Sequence, residues 1–315
     1  MRCLIITSFG KEGYGHITRC IAISQALDKF KIKSFFLLNK KNKYISLNKI
    51  AGTYNWYSSQ KKTLKLIKNF DFVILDSIKI NKKYLIKIKN SCKLFYINDY
   101  HRWKLNDCTH IDWTLFAKKK INNTEIINPK FAALRKPFWT SKKKVIKNKI
   151  KNILIFFGGS DIKKFSIKIT RLLNKENLKF RINVISPHKI NLKNVTCHKF
   201  LNEKRIKNFL TKADIVITSG GQTLYEMACV GVPGIVISET IYDLEDTMAW
   251  IKKGSIIYAG KWKSKNVEKK ILESINKIQL KQIRKNLSIK GQKTIDGKGG
   301  IRLVKKILQN VKRNF

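Results

Sequence analysis

A chain of 315 residues with 43% hydrophobic side chains has room for two ordinary domains and is too apolar to be disordered. No run approaches ~18 consecutive apolar residues, and no basic segment followed by an apolar one opens the chain, so no membrane-spanning helix and no secretory leader are expected and the location is read as cytoplasmic. The formal charge of +47 invites a nucleic-acid reading, but only ten of the 67 basic residues are arginine, the lysines are spread throughout, and no zinc-finger spacing or RNA-binding aromatic motif occurs. Nucleic acid is therefore not expected as a partner, and the lysines read as a solvated surface that steers anionic ligands.

Strand-like and helix-like runs alternate from the start. CLIITS (Cys3–Ser8) is a strand, and the apolar spacing from His16 to Phe30 predicts a helix. SFFLL (Ser34–Leu38) and FVILD (Phe72–Asp76) are the next strands, followed by a helix near Lys82–Asn90 and the strand LFYIND (Leu94–Asp99). Composition then shifts to the basic, polar stretch SKKKVIKNKIKN (Ser141–Asn152), read as a linker or exposed connection. The alternation restarts with the strand NILIFF (Asn152–Phe157) and a helix over Lys163–Leu173. FRINVIS (Phe180–Ser186), DIVITS (Asp214–Ser219) and PGIVIS (Pro233–Ser238) are further strands, with a helix over Thr223–Val230 and a mainly helical end. Continuous apolar strands separated by amphipathic helices predict α/β architecture with parallel sheets covered on both faces. Two such units in tandem, 1–145 and 150–315, are expected, with the last helix able to pack back on the first and a cleft between the sheets. The six scattered cysteines form no C-x-x-C pair and read as reduced thiols, with Cys3 and Cys229 in the core.

Three glycine-bearing loops stand where strands lead into helices. The first, Gly13-Tyr14-Gly15-His16, lacks the dinucleotide fingerprint because Thr18 stands where a third glycine would be. A helix start offers unpaired N–H groups and favours a neutral imidazole, which suits His16 to a general-base role; the plainer alternative is a histidine that merely bonds the loop. Arg19, one turn on, either holds an anion or pairs at the surface. In the second loop, FFGGSD, Gly158, Gly159 and Ser160 can present donors to a phosphate, or Ser160 or Asp161 simply caps the helix. The third, TSGGQTLYE, sets Ser219, Gly220, Gly221, Gln222 and Thr223 at a helix start, an anion cradle or a capped turn, and Glu226 one turn inside can accept both hydroxyls of a ribose. One unit thus reads as the holder of a nucleoside diphosphate and the other as the source of a catalytic group. No metal-ligand cluster, nucleophile-elbow serine or P-loop lysine is visible.

GYGHITRC, LIFFGGSD, ADIVITSGGQTLYEMACVGVP and IDGKGGIRLV together resemble the nucleotide-sugar hydrolases of pseudaminic acid biosynthesis, over nearly the whole chain. The resemblance implies the two-domain GT-B fold, similar to the glycosyltransferase that makes lipid II, with Rossmann-like domains facing a cleft. It implies cleavage of UDP-2,4-diacetamido-2,4,6-trideoxy-β-L-altropyranose with inversion, without metal or cofactor. Carried over by position, His16 is the base that activates water, Arg19 completes its motif beside Gly13 and Gly15, and the second and third loops hold the diphosphate. Glu226 falls on the carboxylate that grips the ribose. Three positions depart from the family pattern at the sugar end. Glu245 and Asp246 replace Asn-Gln, Asp76-Ser77-Ile78 lacks the usual tyrosine, and Asn98-Asp99 replaces a pair of aspartates. FAALRKPF keeps the family's Leu-Arg-x-x-Phe pattern. Expected partner and activity are therefore a UDP-linked amino sugar and its hydrolysis. The alternatives are a GT-B glycosyltransferase using the same donor and a non-catalytic nucleotide-sugar binding protein.

Overall fold

The computed structural model describes residues 1–312 apart from 11–12, 42–46, 48, 100–101, 104, 118–124, 160, 162, 177–179 and 239–240, with the backbone alone for 241–243. The chain divides into two compact units, residues 1–136 with 298–315, and 137–297.

The first unit carries a parallel sheet. Its elements are β1 (Arg2–Thr7), α1 (Gly15–Lys29), β2 (Lys33–Leu38), β3 (Ile50–Thr53), α2 (Gln60–Ile67), β4 (Phe72–Asp76), α3 (Lys82–Ser91), β5 (Leu94–Ile97), β6 (Thr109–Asp112) and β7 (Ile126–Ile127). Strand order is β3-β2-β1-β4-β5-β6-β7, and every pairing is parallel. Consecutive residues of β4 are all buried, because helices cover both faces and each side chain must be apolar or internally paired. Leu4, Ile6, Val73, Leu75 and Tyr96 meet Trp56 and Tyr84 in one face's core.

The second unit repeats the plan. It contains β8 (Asn152–Phe156), α4 (Phe165–Lys175), β9 (Arg181–Ile185), β10 (Val195–His198), α5 (Glu203–Lys212), β11 (Ile215–Thr218), α6 (Gln222–Val230), β12 (Gly234–Ser238), α7 (Ile241–Lys253), β13 (Ile257–Lys261), α8 (Val267–Ile278) and α9 (Lys281–Thr294). The parallel order is β10-β9-β8-β11-β12-β13. Ile153, Ile155, Ile215, Ile217, Ile235 and Ile237 build its core with helix residues such as Ile271. The basic stretch from Ser141 to Asn152 lies wholly within this unit, and Arg284 of α9 binds its backbone at the carbonyls of Lys147 and Asn148, both at 2.8 Å.

A last helix, α10 (Gly299–Lys312), belongs to the first unit. Gly299 lies against the backbone of Ala132, so that an added Cβ would stand 2.2 Å from the carbonyl oxygen, and Gly300 faces Ala133 and Ala26 of α1. Glycine at both positions lets the helix start come this close. Cys3 and Cys229 are buried, as the sequence predicts.

In each unit the first strand is flanked by the second on one side and a later strand on the other. The chain order reverses between β1 and β4, and again between β8 and β11. Open parallel sheets bind ligands outside the carboxyl ends of their strands at that reversal.

Candidate functional site

In the first unit the reversal brings His16 and Asp76 together. The loop after β1 is pinched by a backbone bridge, Gly10 N to Gly13 O at 3.2 Å and Gly13 N to Gly10 O at 2.9 Å, with φ of 121° and 83° at these two glycines. Gly15 then starts α1, placing His16 in its first turn, which carries neither a side-chain cap nor an acidic residue. Asp76 ends β4, the strand beside β1, and is completely buried.

His16 Nδ1 lies 2.7 Å from Asp76 Oδ1. A carboxylate can only accept, so Nδ1 carries the proton and donates, and the neutral ring's lone pair stands on Nε2. Arg19 approaches Nδ1 at 3.1 Å, but its shorter bonds go to the carboxylate: Nη2 to Asp76 Oδ1 at 2.6 Å and Nε to Asp76 Oδ2 at 2.5 Å. Arg19 Nη1 donates to Asp99 Oδ2 at 2.5 Å, and Arg102 Nη2 donates to Asp99 Oδ1 at 2.5 Å. From His16 a chain of alternating charge, Asp76–Arg19–Asp99–Arg102, therefore runs along the carboxyl edge of the sheet. The Trp113 ring covers Arg19, with the guanidinium carbon 5.5 Å from its centroid.

Burial alone would raise the Asp76 carboxyl, but Arg19, then His16, hold it well below the usual carboxylate range. Asp99 is likewise lowered against its burial by Arg19 and Arg102. Burial opposes the Arg19 charge, and Asp76 and Asp99 more than restore it. The Cys20 thiol, facing Asp76 at 3.7 Å, is pushed well up by burial and by that carboxylate, so it stays protonated. Asp112, ending β6, is pushed up to about 6 by burial despite accepting from the Thr114 N–H at 2.8 Å and hydroxyl at 2.7 Å.

The sequence singled out His16, Arg19 and Asp99, and the structure joins them. Gly13 and Gly15 frame the same loop. Asp76, treated in the sequence only as the start of a departure, is the missed member. Its signal was an acid closing an otherwise apolar strand.

In the second unit β8 and β11 are hydrogen-bonded neighbours, with Phe156 opposite Thr218. The Thr218 hydroxyl donates to the Phe156 carbonyl at 2.5 Å, tying together the bases of the two glycine loops. Gly158 and Gly159 follow β8, half-buried, while Ser160 lies outside the described residues. Ser219, Gly220, Gly221, Gln222 and Thr223 follow β11, all half-buried at the start of α6. Gly221 precedes the helix at φ 84° and ψ −152°, a conformation open essentially to glycine alone, and no side chain caps α6. The other helix start is occupied. Asp161 accepts from the N–H groups of Phe165 at 2.9 Å and Ser166 at 3.3 Å, so α4 begins two residues later than the sequence pattern indicates. The two helix starts therefore differ: α6 has no side-chain cap, and α4 has a carboxylate over its first N–H groups.

Glu226 is buried inside α6. Glu245 and Asp246 lie on α7. Glu245 is exposed, whereas Asp246 is buried and accepts from the Tyr225 hydroxyl at 3.3 Å. A cavity of about 830 Å³ lies at the other edge of the sheet, where Asn152 opens β8 and Asp214 precedes β11, and includes none of the glycine-loop residues. Its Lys144 donates to the Ala213 carbonyl at 2.6 Å and is pushed down to about 8 by burial. Among the described residues no cluster of three or more metal-ligating side chains occurs, and no helix is long and apolar enough to cross a membrane.

No family model matches the chain. It is 27% identical to an uncharacterised protein of Methanocaldococcus jannaschii, over 80% of this chain and 59% of that one. It is 26% identical to the spore coat polysaccharide biosynthesis protein SpsG of Bacillus subtilis, over 59% and 56%. Its identity is 24% to a Helicobacter pylori protein named pseudaminic acid cytidylyltransferase and UDP-2,4-diacetamido-2,4,6-trideoxy-β-L-altropyranose hydrolase, over 74% and 43%. The chain thus spans about half the length of these curated relatives. Among solved structures it is similar to MurG of Acinetobacter baumannii, with TM-score 0.62 and 11% identity over 98% of this chain and 99% of that one. It is also similar to the MnaA–UDP complex of S. aureus, with TM-score 0.67 and 13% identity over 99% and 97%. The fold is of the GT-B type, with two Rossmann-like units, as the sequence predicts.

Proposed function

We propose that this chain hydrolyses a UDP-linked amino sugar at its anomeric carbon, with His16 as general base. The observation that carries the reading is the 2.7 Å contact from His16 Nδ1 to Asp76, which leaves Nε2 as the proton acceptor. Nε2 takes a proton from water. The water oxygen bonds to the anomeric carbon as the bond to the diphosphate oxygen breaks, UDP leaves with the electron pair, and the configuration inverts. The second unit holds the nucleotide. N–H groups at Gly220, Gly221 and the first turn of α6 meet the diphosphate, with the Ser219 and Thr223 hydroxyls, and Glu226 takes the ribose hydroxyls. These donors and the helix dipole stabilise the leaving charge in place of a cation. The Helicobacter pylori relative, whose name includes the hydrolysis of a UDP-linked diacetamido-trideoxy sugar, supports that substrate class.

The test is UDP release from a panel of UDP-amino sugars in water with EDTA and no acceptor, following the freed sugar's anomeric configuration by NMR. Catalytic release with inversion is expected for the 2,4-diacetamido-2,4,6-trideoxy altrose donor. His16→Asn should lower turnover by ~10²–10⁴-fold while UDP affinity stays within a few-fold. Full activity in that variant refutes the mechanism. Release only with a sugar acceptor marks a glycosyltransferase, and UDP binding without turnover marks a binding protein.

A further inference from the structure

The alternating chain continues beyond the two residues that the proposed reaction needs. Asp76 has no exposed surface, and Arg19 forks around it with two donors while the third reaches Asp99. The groups come from three parts of the fold: His16 and Arg19 from α1, Asp76 from β4, and Asp99 and Arg102 from the segment after β5. A guanidinium set side-on to a carboxylate fixes both its orientation and its charge. Asp99 and Arg102 in turn fix the guanidinium.

We propose that Arg19 and Asp99 are positioning residues that act on His16 through Asp76. This rests on the reading of His16 as the base. Arg19 holds the Asp76 carboxylate in the plane where Oδ1 accepts the Nδ1 proton, and it offsets most of the carboxylate's charge. Asp76 thereby orients the imidazole, with Nδ1 as its donor and Nε2 turned to the other side of the ring. Asp99 limits that offset by taking part of the Arg19 charge. Arg19 Nε, Nη1 and Nη2 each donate to Asp76 or Asp99, and both Asp99 oxygens accept from arginine, so the shortest bonds of both side chains run within the set.

Among the described residues, Cys20 and Tyr96 face this set and remain protonated, the latter pushed up to about 12 by burial, and Arg102 lies beyond Asp99. Asp112 titrates in the working range, so the measurement is made in parallel on an Asp112→Asn background.

The experiment is an NMR titration of ¹⁵N-labelled histidine in the whole chain, with the His16 signals identified by their loss in His16→Asn. Arg19→Gln should move the His16 titration up by about one pH unit, because Asp76 is no longer offset. Asp99→Asn should move it down, because Arg19 then acts on Asp76 alone. The acidic limb of kcat/KM should shift in the same two directions. Unmoved titrations, or shifts of the same sign, overturn the proposal. Should Arg19→Gln fail to fold, Asp99→Asn decides by itself, since the amide oxygen still accepts from either arginine. If the wild type releases no UDP from any sugar, the functional reading fails, while the imidazole titration still judges the positioning role.

Discussion

Replacing Asp112 with asparagine should stabilise the protein, and the gain should depend on pH with a defined sign. Asp112 is 2% exposed at the end of β6, and burial pushes its carboxyl from 3.8 up to about 6. A group whose folded value is raised favours folding while protonated. That contribution is complete below about pH 4, the unfolded value, and is lost as the pH rises through about 6. A displacement of about two units corresponds to about 3 kcal/mol between the two limits. Asparagine keeps an oxygen for the Thr114 N–H and hydroxyl, which Asp112 Oδ1 accepts at 2.8 and 2.7 Å, and it carries no charge to desolvate. Asp76 and Asp99 are shifted the other way and stabilise the fold above about pH 4, but both proteins contain them, so they cancel in the difference. Urea unfolding of wild type and variant from pH 4 to 8 should show curves that coincide at the acid end and separate by up to about 3 kcal/mol by pH 8. A variant that is less stable at pH 8, or a difference that does not change with pH, would refute the reasoning.

Two glycine substitutions probe the backbone on which the second and first units depend. Gly221→Ala meets no neighbouring atom, so its cost comes from φ 84° and ψ −152° alone. It should lower stability by ~1–3 kcal/mol or reshape the loop, and either way weaken UDP binding by calorimetry; unchanged stability and affinity would show that the cradle does not need this conformation. Gly299→Ala puts a methyl into the Ala132 backbone, where the helix start must move away, and should cost ~1–3 kcal/mol in thermal unfolding with UDP affinity retained. An unaltered melting temperature would mean that α10 is not held by this contact.

The strands that could be read from sequence are those whose surroundings leave no choice. FVILD, NILIFF, DIVITS and PGIVIS lie between neighbours on both sides and under helices on both faces, so every position had to be apolar or a specific exception. β3 is a short edge strand with half-exposed residues, and β6 reads THID, which has no apolar run at all. Its polar residues are buried because specific groups receive them: His110 Nε2 pairs with the Leu105 carbonyl at 2.9 Å, Asn98 Nδ2 reaches His110 Nδ1 at 3.2 Å, and Asp112 accepts from Thr114. No apolar periodicity marks such partners.

The same distinction divides the candidate site. The glycine loops were legible because a strand, a tight turn and a helix start are consecutive in sequence. Asp76 acquires its place only from strand order, since β4 lies beside β1 although His16 and Asp76 stand sixty positions apart in sequence. Both sheets use the reversal, and they fill it differently. Between β1 and β4 the space is taken by ionised side chains that satisfy one another and leave one imidazole nitrogen. Between β8 and β11 it is lined by glycines and a helix start without a side-chain cap. On the proposed reading one fold supplies a proton acceptor from side chains and an anion site from backbone, and the residue that ends the later strand differs accordingly, Asp76 in one sheet and Thr218 in the other.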